Sequence, residues 1–122
     1  MVWQKAGMVG EMTDELLTMD EYQDMALATW ARTPGDGDSD LAYLTLGMVG
    51  ETGEVAEHIK KHLRHGKPLD YAELKKELGD ALWYIAVMSY ELGFRLEDVA
   101  ADNIVKLKKR YPEGFVKRWS DG

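Results

Sequence analysis

Three prolines, at positions 34, 68 and 112, divide this chain into segments that carry apolar residues at helical spacing. A proline lacks a backbone donor and clashes with the preceding turn, so it falls between helices rather than inside them. No segment alternates apolar and polar residues as a half-buried strand does. The pattern therefore predicts an all-α fold of four helices.

The first helix is expected over Met19–Trp30, since Thr18 followed by Glu21 is a capping-box pair. A Gly- and Asp-rich loop, Arg32–Ser39, follows. The second helix is expected from about Asp40 to Arg64, with Leu41, Leu44, Met48, Val55 and Ile59 as its apolar stripe and Gly66 as its stop. The third begins after Asp70 and ends near Leu92. The fourth spans Leu96–Arg110, with Val99, Ile104 and Leu107 as its stripe. Residues 1–17 read as a leader of uncertain structure and 18–115 as the domain. Residues 116–122 read as a tail, with Phe115 and Trp119 as anchors at this end. The pentapeptide GMVGE occurs at Gly7–Glu11 and again at Gly47–Glu51, but its flanks do not repeat, so it does not mark a repeat architecture.

At 122 residues the chain is the size of one domain, and four short helices bury a modest core. The run Leu82–Met88 is apolar on all sides of its helix and needs cover on every side. This predicts self-association as a homo-oligomeric bundle, a homodimer or homotetramer. A net charge of −7 disfavours a nucleic acid polymer as partner. No apolar run is long enough to span a membrane. The chain has no cysteine and its N-terminal residues do not read as a signal peptide, so the expected location is the cytoplasm.

The charged residues carry the functional signal. Glu51 and Glu54 stand i, i+3 on the second helix, and Glu77 and Asp80 repeat that spacing on the third. Side chains three apart on a helix are neighbours, and like charges there repel by a few tenths of a kcal/mol. Glu51 falls inside the apolar stripe, Glu54 on its edge and Glu57 on the opposite, solvated side. Glu77 and Asp80 lead into Tyr84 and Val87, at the mouth of the apolar half. Chance pairs are common among 22 acidic residues, but a carboxylate inside a stripe needs a partner. A divalent cation would serve. None of His58, His62 and His65 follows a Glu by three residues, as di-iron bundles require, so these histidines read as surface residues. Oxygen-only ligands point to Mg²⁺, with Mn²⁺ possible.

The strings GETGEVAE (50–57), ELGDALWY (77–84) and NIVKLKKRYPEGF (103–115) resemble the MazG-like all-α nucleoside triphosphate pyrophosphohydrolases. The resemblance spans about Asp20 to Phe115. It implies Mg²⁺-dependent cleavage of ribo- or deoxynucleoside triphosphates to the monophosphate and pyrophosphate, clearing unwanted nucleotides from the pool. It also implies that Glu51, Glu54, Glu77 and Asp80 are catalytic metal ligands. Gly50 departs from the family pattern, which has a third acid there, and this bears on how many metals bind.

Asn103, Lys106 and Arg110 share a face of the fourth helix and are candidate phosphate contacts; the plain alternative for the two cations is a basic helix end facing water. Lys61 is a further phosphate candidate, or a solvated lysine. Trp30 and Tyr84 are candidates to contact the base or to pack. Trp83 reads as packing, and Gln23, seven residues before Trp30, as a weak candidate base contact. The rival reading is a helical module that binds nucleotide or a partner without hydrolysis, its metal site degenerate.

Overall fold

The computed structural model of the chain describes residues 17–114. Residues 1–16 of the expected leader, Phe115, Trp119 and the tail lie outside them. The described residues form four helices and no strand: α1 (Met19–Leu27), α2 (Gly37–His65), α3 (Tyr71–Glu91) and α4 (Leu96–Arg110). The all-α expectation is met.

Local chemistry sets most helix ends. The Thr18–Glu21 capping box forms, Thr18 Oγ1 accepting from the Glu21 N–H at 3.0 Å. Asp70 caps α3 by accepting from the Glu73 N–H at 3.1 Å. Gly66 closes α2 in the left-handed region at φ 66°, where a Cβ would be strained. Two boundaries differ from expectation. α1 stops at Leu27 rather than Trp30, and Thr29 Oγ1 turns back onto the Ala26 carbonyl. α2 starts earlier, at Gly37, because Asp36 caps it by accepting from the Ser39 N–H.

The short connection from Gly66 to Asp70 folds α2 and α3 into an antiparallel hairpin, the main contact of the fold. Gly47 is the closest approach. A Cβ there would overlap the Tyr84 ring, whereas one at Gly50 would meet open space. α1 and α4 pack on α3 and on each other. The core is small: Ala26, Leu44, Ala86, Val87 and Leu96, with Tyr22, Trp30, Trp83 and Met88 packed around it. Burying a Leu or Val fully contributes about 1.5–3 kcal/mol, so Leu44 and Val87 dominate it.

Gln23 locks the bundle. Its amide is 0% exposed. Nε2 donates to the carbonyls of Ala86 at 3.0 Å and Phe94 at 3.1 Å, while Oε1 accepts from the Leu96 N–H at 3.0 Å. Arg95, the residue before α4, supplies no side-chain cap. Gln23 and Asp20 of α1 do so instead, Asp20 Oδ1 accepting from the Glu97 N–H at 3.1 Å. Arg95 reciprocates by donating to Asp24 at 3.0 Å. The structure thus gives Gln23, the weak base-contact candidate of the sequence, a core position: both amide hydrogens and one carbonyl lone pair bond backbone groups.

The apolar stripes are only partly covered. Of the run Leu82–Met88, Ala86 and Val87 are buried, while Leu82 and Ile85 remain 38% exposed. On α4 only Leu96 is buried, and Val99, Ile104 and Leu107 face outward, contrary to their reading as an inward stripe. Leu46, Val49 and Leu63 of α2 are more than 60% exposed.

Candidate functional site

The acidic residues sit where α2 and α3 face each other. Glu51 and Asp80 line a small recess floored by Trp83 and Tyr84. Glu77, one turn from Asp80, is 8% exposed. Its Oε1 accepts from His58 Nε2 at 3.2 Å, and its Oε2 is buried with no hydrogen-bond partner. An unpaired buried carboxylate oxygen costs about 1–3 kcal/mol or more, so such an atom calls for a cation or water. Glu54 is exposed on the rim.

The electrostatics agree with the geometry. The Glu51 carboxyl is pushed above its ordinary range by desolvation, then by the charges of Asp80, Glu77 and Glu54. Burial, a hydrogen bond with Tyr43 and the charges of Glu51 and Asp80 raise the Tyr84 phenol, which keeps its proton at neutral pH. These effects show one field of negative charge spanning two helices.

Among the described residues, no three His, Asp or Glu side chains converge tightly enough to form a ready ligand cluster. The donor set still suits Mg²⁺, which keeps several waters and needs only one or two protein carboxylates. Glu77 Oε2, Glu51 and Asp80 are the groups that could hold such a cation, and His58 Nε2 binds the other Glu77 oxygen. His58 is thus half-buried and paired, not the surface residue the sequence suggested. The missed signal was its position, four residues beyond Glu54 and seven beyond Glu51, on the face that meets α3.

Next to the recess, and sharing Trp83 with it, opens a cleft of ≈ 360 Å³ lined chiefly by Thr29, Trp30, Thr33, Asp40, Tyr43 and Trp83. Trp30 and Tyr43 stack with ring centroids 6.0 Å apart, and Trp83 meets Trp30 edge-on at 6.0 Å. Polar bonds hold the two indoles and the carboxylate behind Trp30. Trp30 Nε1 donates to Glu91 Oε1 at 2.9 Å, Arg32 donates to the same oxygen at 3.0 Å, and Trp83 Nε1 donates to Thr29 Oγ1 at 2.8 Å. Neither Asp40 nor Tyr43 belongs to a motif legible in the sequence.

The remaining candidates lie apart from the recess. Lys61 is exposed and ion-paired with Glu57 at 3.8 Å. Lys106 and Arg110 line a shallow surface depression of α4 with Asp102, Val105 and Lys109. Asn103 is exposed beside them. α4 packs on α3 and not on α2, and Lys106 and Arg110 share no pocket with Glu51 and Asp80.

Fold and site together define a helical bundle that gathers acidic side chains beside an aromatic cleft. The profile of the MazG nucleotide pyrophosphohydrolase domain matches residues 40–115, which covers α2 to α4. The Gene 37 protein of Mycobacterium phage L5 is 38% identical over 111 residues, 84% of this chain and 96% of that protein. No solved structure matches. This chain belongs to the MazG nucleotide pyrophosphohydrolase family.

Proposed function

We propose that the protein hydrolyses nucleoside triphosphates between the α and β phosphates, releasing a nucleoside monophosphate and pyrophosphate, with Mg²⁺ as cofactor. The observation that carries this is the carboxylate field of Glu51, Glu77 and Asp80, with Glu77 Oε2 buried and unpartnered, and with the Glu51–Asp80 recess sharing Trp83 with an aromatic cleft. When bound, a divalent cation supplies charge neutralisation on phosphate oxygens and a lowered pKa for its water. The chain's own residues do the rest. Glu51, Glu54, Glu77 and Asp80 would hold the cation, His58 orients Glu77, and the Tyr84 hydroxyl donates a hydrogen bond to a phosphate oxygen. Trp30, Tyr43 and Trp83 hold the base, so that the triphosphate runs toward the recess. Clearing unwanted nucleotides from the pool is the role this chemistry serves.

Self-association is part of the proposal. The uncovered apolar residues of α2, α3 and α4 would be buried, and Asn103, Lys106 and Arg110 of one copy would reach phosphates held by another.

The test is product identity. Incubation with a nucleoside triphosphate and Mg²⁺, read by phosphorus NMR, should give monophosphate and pyrophosphate in equal amounts, and nothing with EDTA. Diphosphate and inorganic phosphate would overturn the reading. The second reading, a module that binds nucleotide without turnover, draws on Gly50 in place of an acid and on the loosely gathered carboxylates. It requires nucleotide affinity with no release of pyrophosphate under any divalent metal.

A further inference from the structure

Asp40 lies in the first turn of α2 and is 4% exposed, yet it lines the aromatic cleft. Its Oδ2 accepts from the Thr33 N–H at 2.8 Å, which fixes the carboxylate plane against the 28–36 loop. Its other oxygen has no partner among the described residues and is not sealed in the interior. The nearest cation, Arg32, is committed to Glu91. A fixed acceptor therefore opens into a cleft whose walls are Trp30, Tyr43 and Trp83, about 16 Å along α2 from Glu51 at 1.5 Å per residue.

An ionised carboxylate accepts hydrogen bonds and donates none. At one ring edge cytosine and adenine present an exocyclic amino donor, whereas uracil, thymine and guanine present a carbonyl oxygen there. A carbonyl facing Asp40 would leave two acceptors opposed and unpaired. We propose that Asp40 is a specificity-determining residue that selects bases with an amino donor at this edge, cytosine and adenine, over uracil and thymine. This rests on the cleft holding the base, as in the proposed hydrolysis, but concerns binding rather than bond cleavage.

The bond from the Thr33 N–H needs only one oxygen, and an asparagine would accept it equally well. Asp40→Asn therefore separates a loop-holding role from a base-reading role, because it keeps that bond and turns the other oxygen into a donor. The measurement is quenching of tryptophan fluorescence by cytidine and uridine monophosphates without metal, with thermal melting as a control on the fold. The wild-type protein should bind the cytidine nucleotide at least about tenfold more tightly, the discrimination expected for one well-formed base contact. The variant should lose or reverse that preference while melting within a few degrees of wild type. Equal affinity for both nucleotides in the wild type, no quenching by either, or a ratio unchanged by Asp40→Asn would each overturn the proposal. A wild-type preference alone supports it if the variant does not fold. Pyrophosphate release is scored separately. Its absence with an altered base ratio sinks the hydrolase reading and leaves Asp40 standing, and its presence with an unaltered ratio does the reverse.

Discussion

Replacing Gln23 with methionine keeps the length of the side chain and removes every hydrogen bond it makes. Three backbone groups are affected. The Leu96 N–H and the Phe94 carbonyl lose the partners that the structure gives them, and the Ala86 carbonyl falls back on the α3 ladder. A buried group left unsatisfied costs about 1–3 kcal/mol, and a lost second bond nearer 1, so the sum is about 4 kcal/mol. That is a large share of the 5–15 kcal/mol that holds an ordinary domain together, and it lowers Tm by on the order of 15 °C. Urea unfolding followed by the fluorescence of Trp30 and Trp83, which pack against the core, reads the loss as a lower midpoint at unchanged slope. A loss below about 1 kcal/mol would refute the amide lock, since even one orphaned group exceeds it. If nucleotide affinity also changed at unchanged stability, Gln23 would belong to the cleft after all.

Gly47 and Gly50 should behave oppositely. Gly47→Ala puts a Cβ into the Tyr84 ring and should destabilise by about 1–3 kcal/mol, whereas Gly50→Ala meets open space and should stabilise by up to about 1 kcal/mol through helix propensity; thermal melts of the two variants decide it. Because like charges and desolvation raise the Glu51 pKa, the folded state holds that proton more tightly than the unfolded one. Its contribution is then full below the ordinary carboxylate value and is lost as pH rises through the folded value, so metal-free Glu51→Gln should show a shallower fall in stability above pH ~4.5 than wild type. The exposed Leu46, Val49 and Leu63 should be covered by a second copy, so light scattering after size exclusion should give at least a dimer, and a monomer at all concentrations would remove the self-association proposal.

Local signals in the sequence were strong where a single residue decides an outcome. The Thr18–Glu21 box, Asp70 and Gly66 follow from caps alone, because those effects act within one turn. The i, i+3 acids were legible for the same reason. What depends on partners distant in the chain was not. Gln23 read as a weak candidate base contact on the face of Trp30, and only its contacts 63 to 73 residues away make it a core lock. His58 lacked the Glu-x-x-His spacing, yet α3 delivers Glu77 to it across the hairpin. Asp40 sat at an ordinary helix start, and its free oxygen has meaning only once Trp30 and Trp83 close around the cleft. The α4 stripe misled because apolar spacing identifies a face to be buried without saying which chain buries it.

Glu77→Gln tests the central claim most directly, because stability and turnover should part company. Replacing the partly orphaned carboxylate by an amide removes a buried charge from a field of like charges, so the metal-free variant should melt at or above the wild-type temperature. Added Mg²⁺ should raise the melting temperature of the wild type and not of the variant. Pyrophosphate release should fall at least about 100-fold, the scale of losing a key electrostatic contact in a site. Wild-type turnover in Glu77→Gln, or a wild-type melting temperature indifferent to Mg²⁺, would contradict a metal-dependent carboxylate site between α2 and α3.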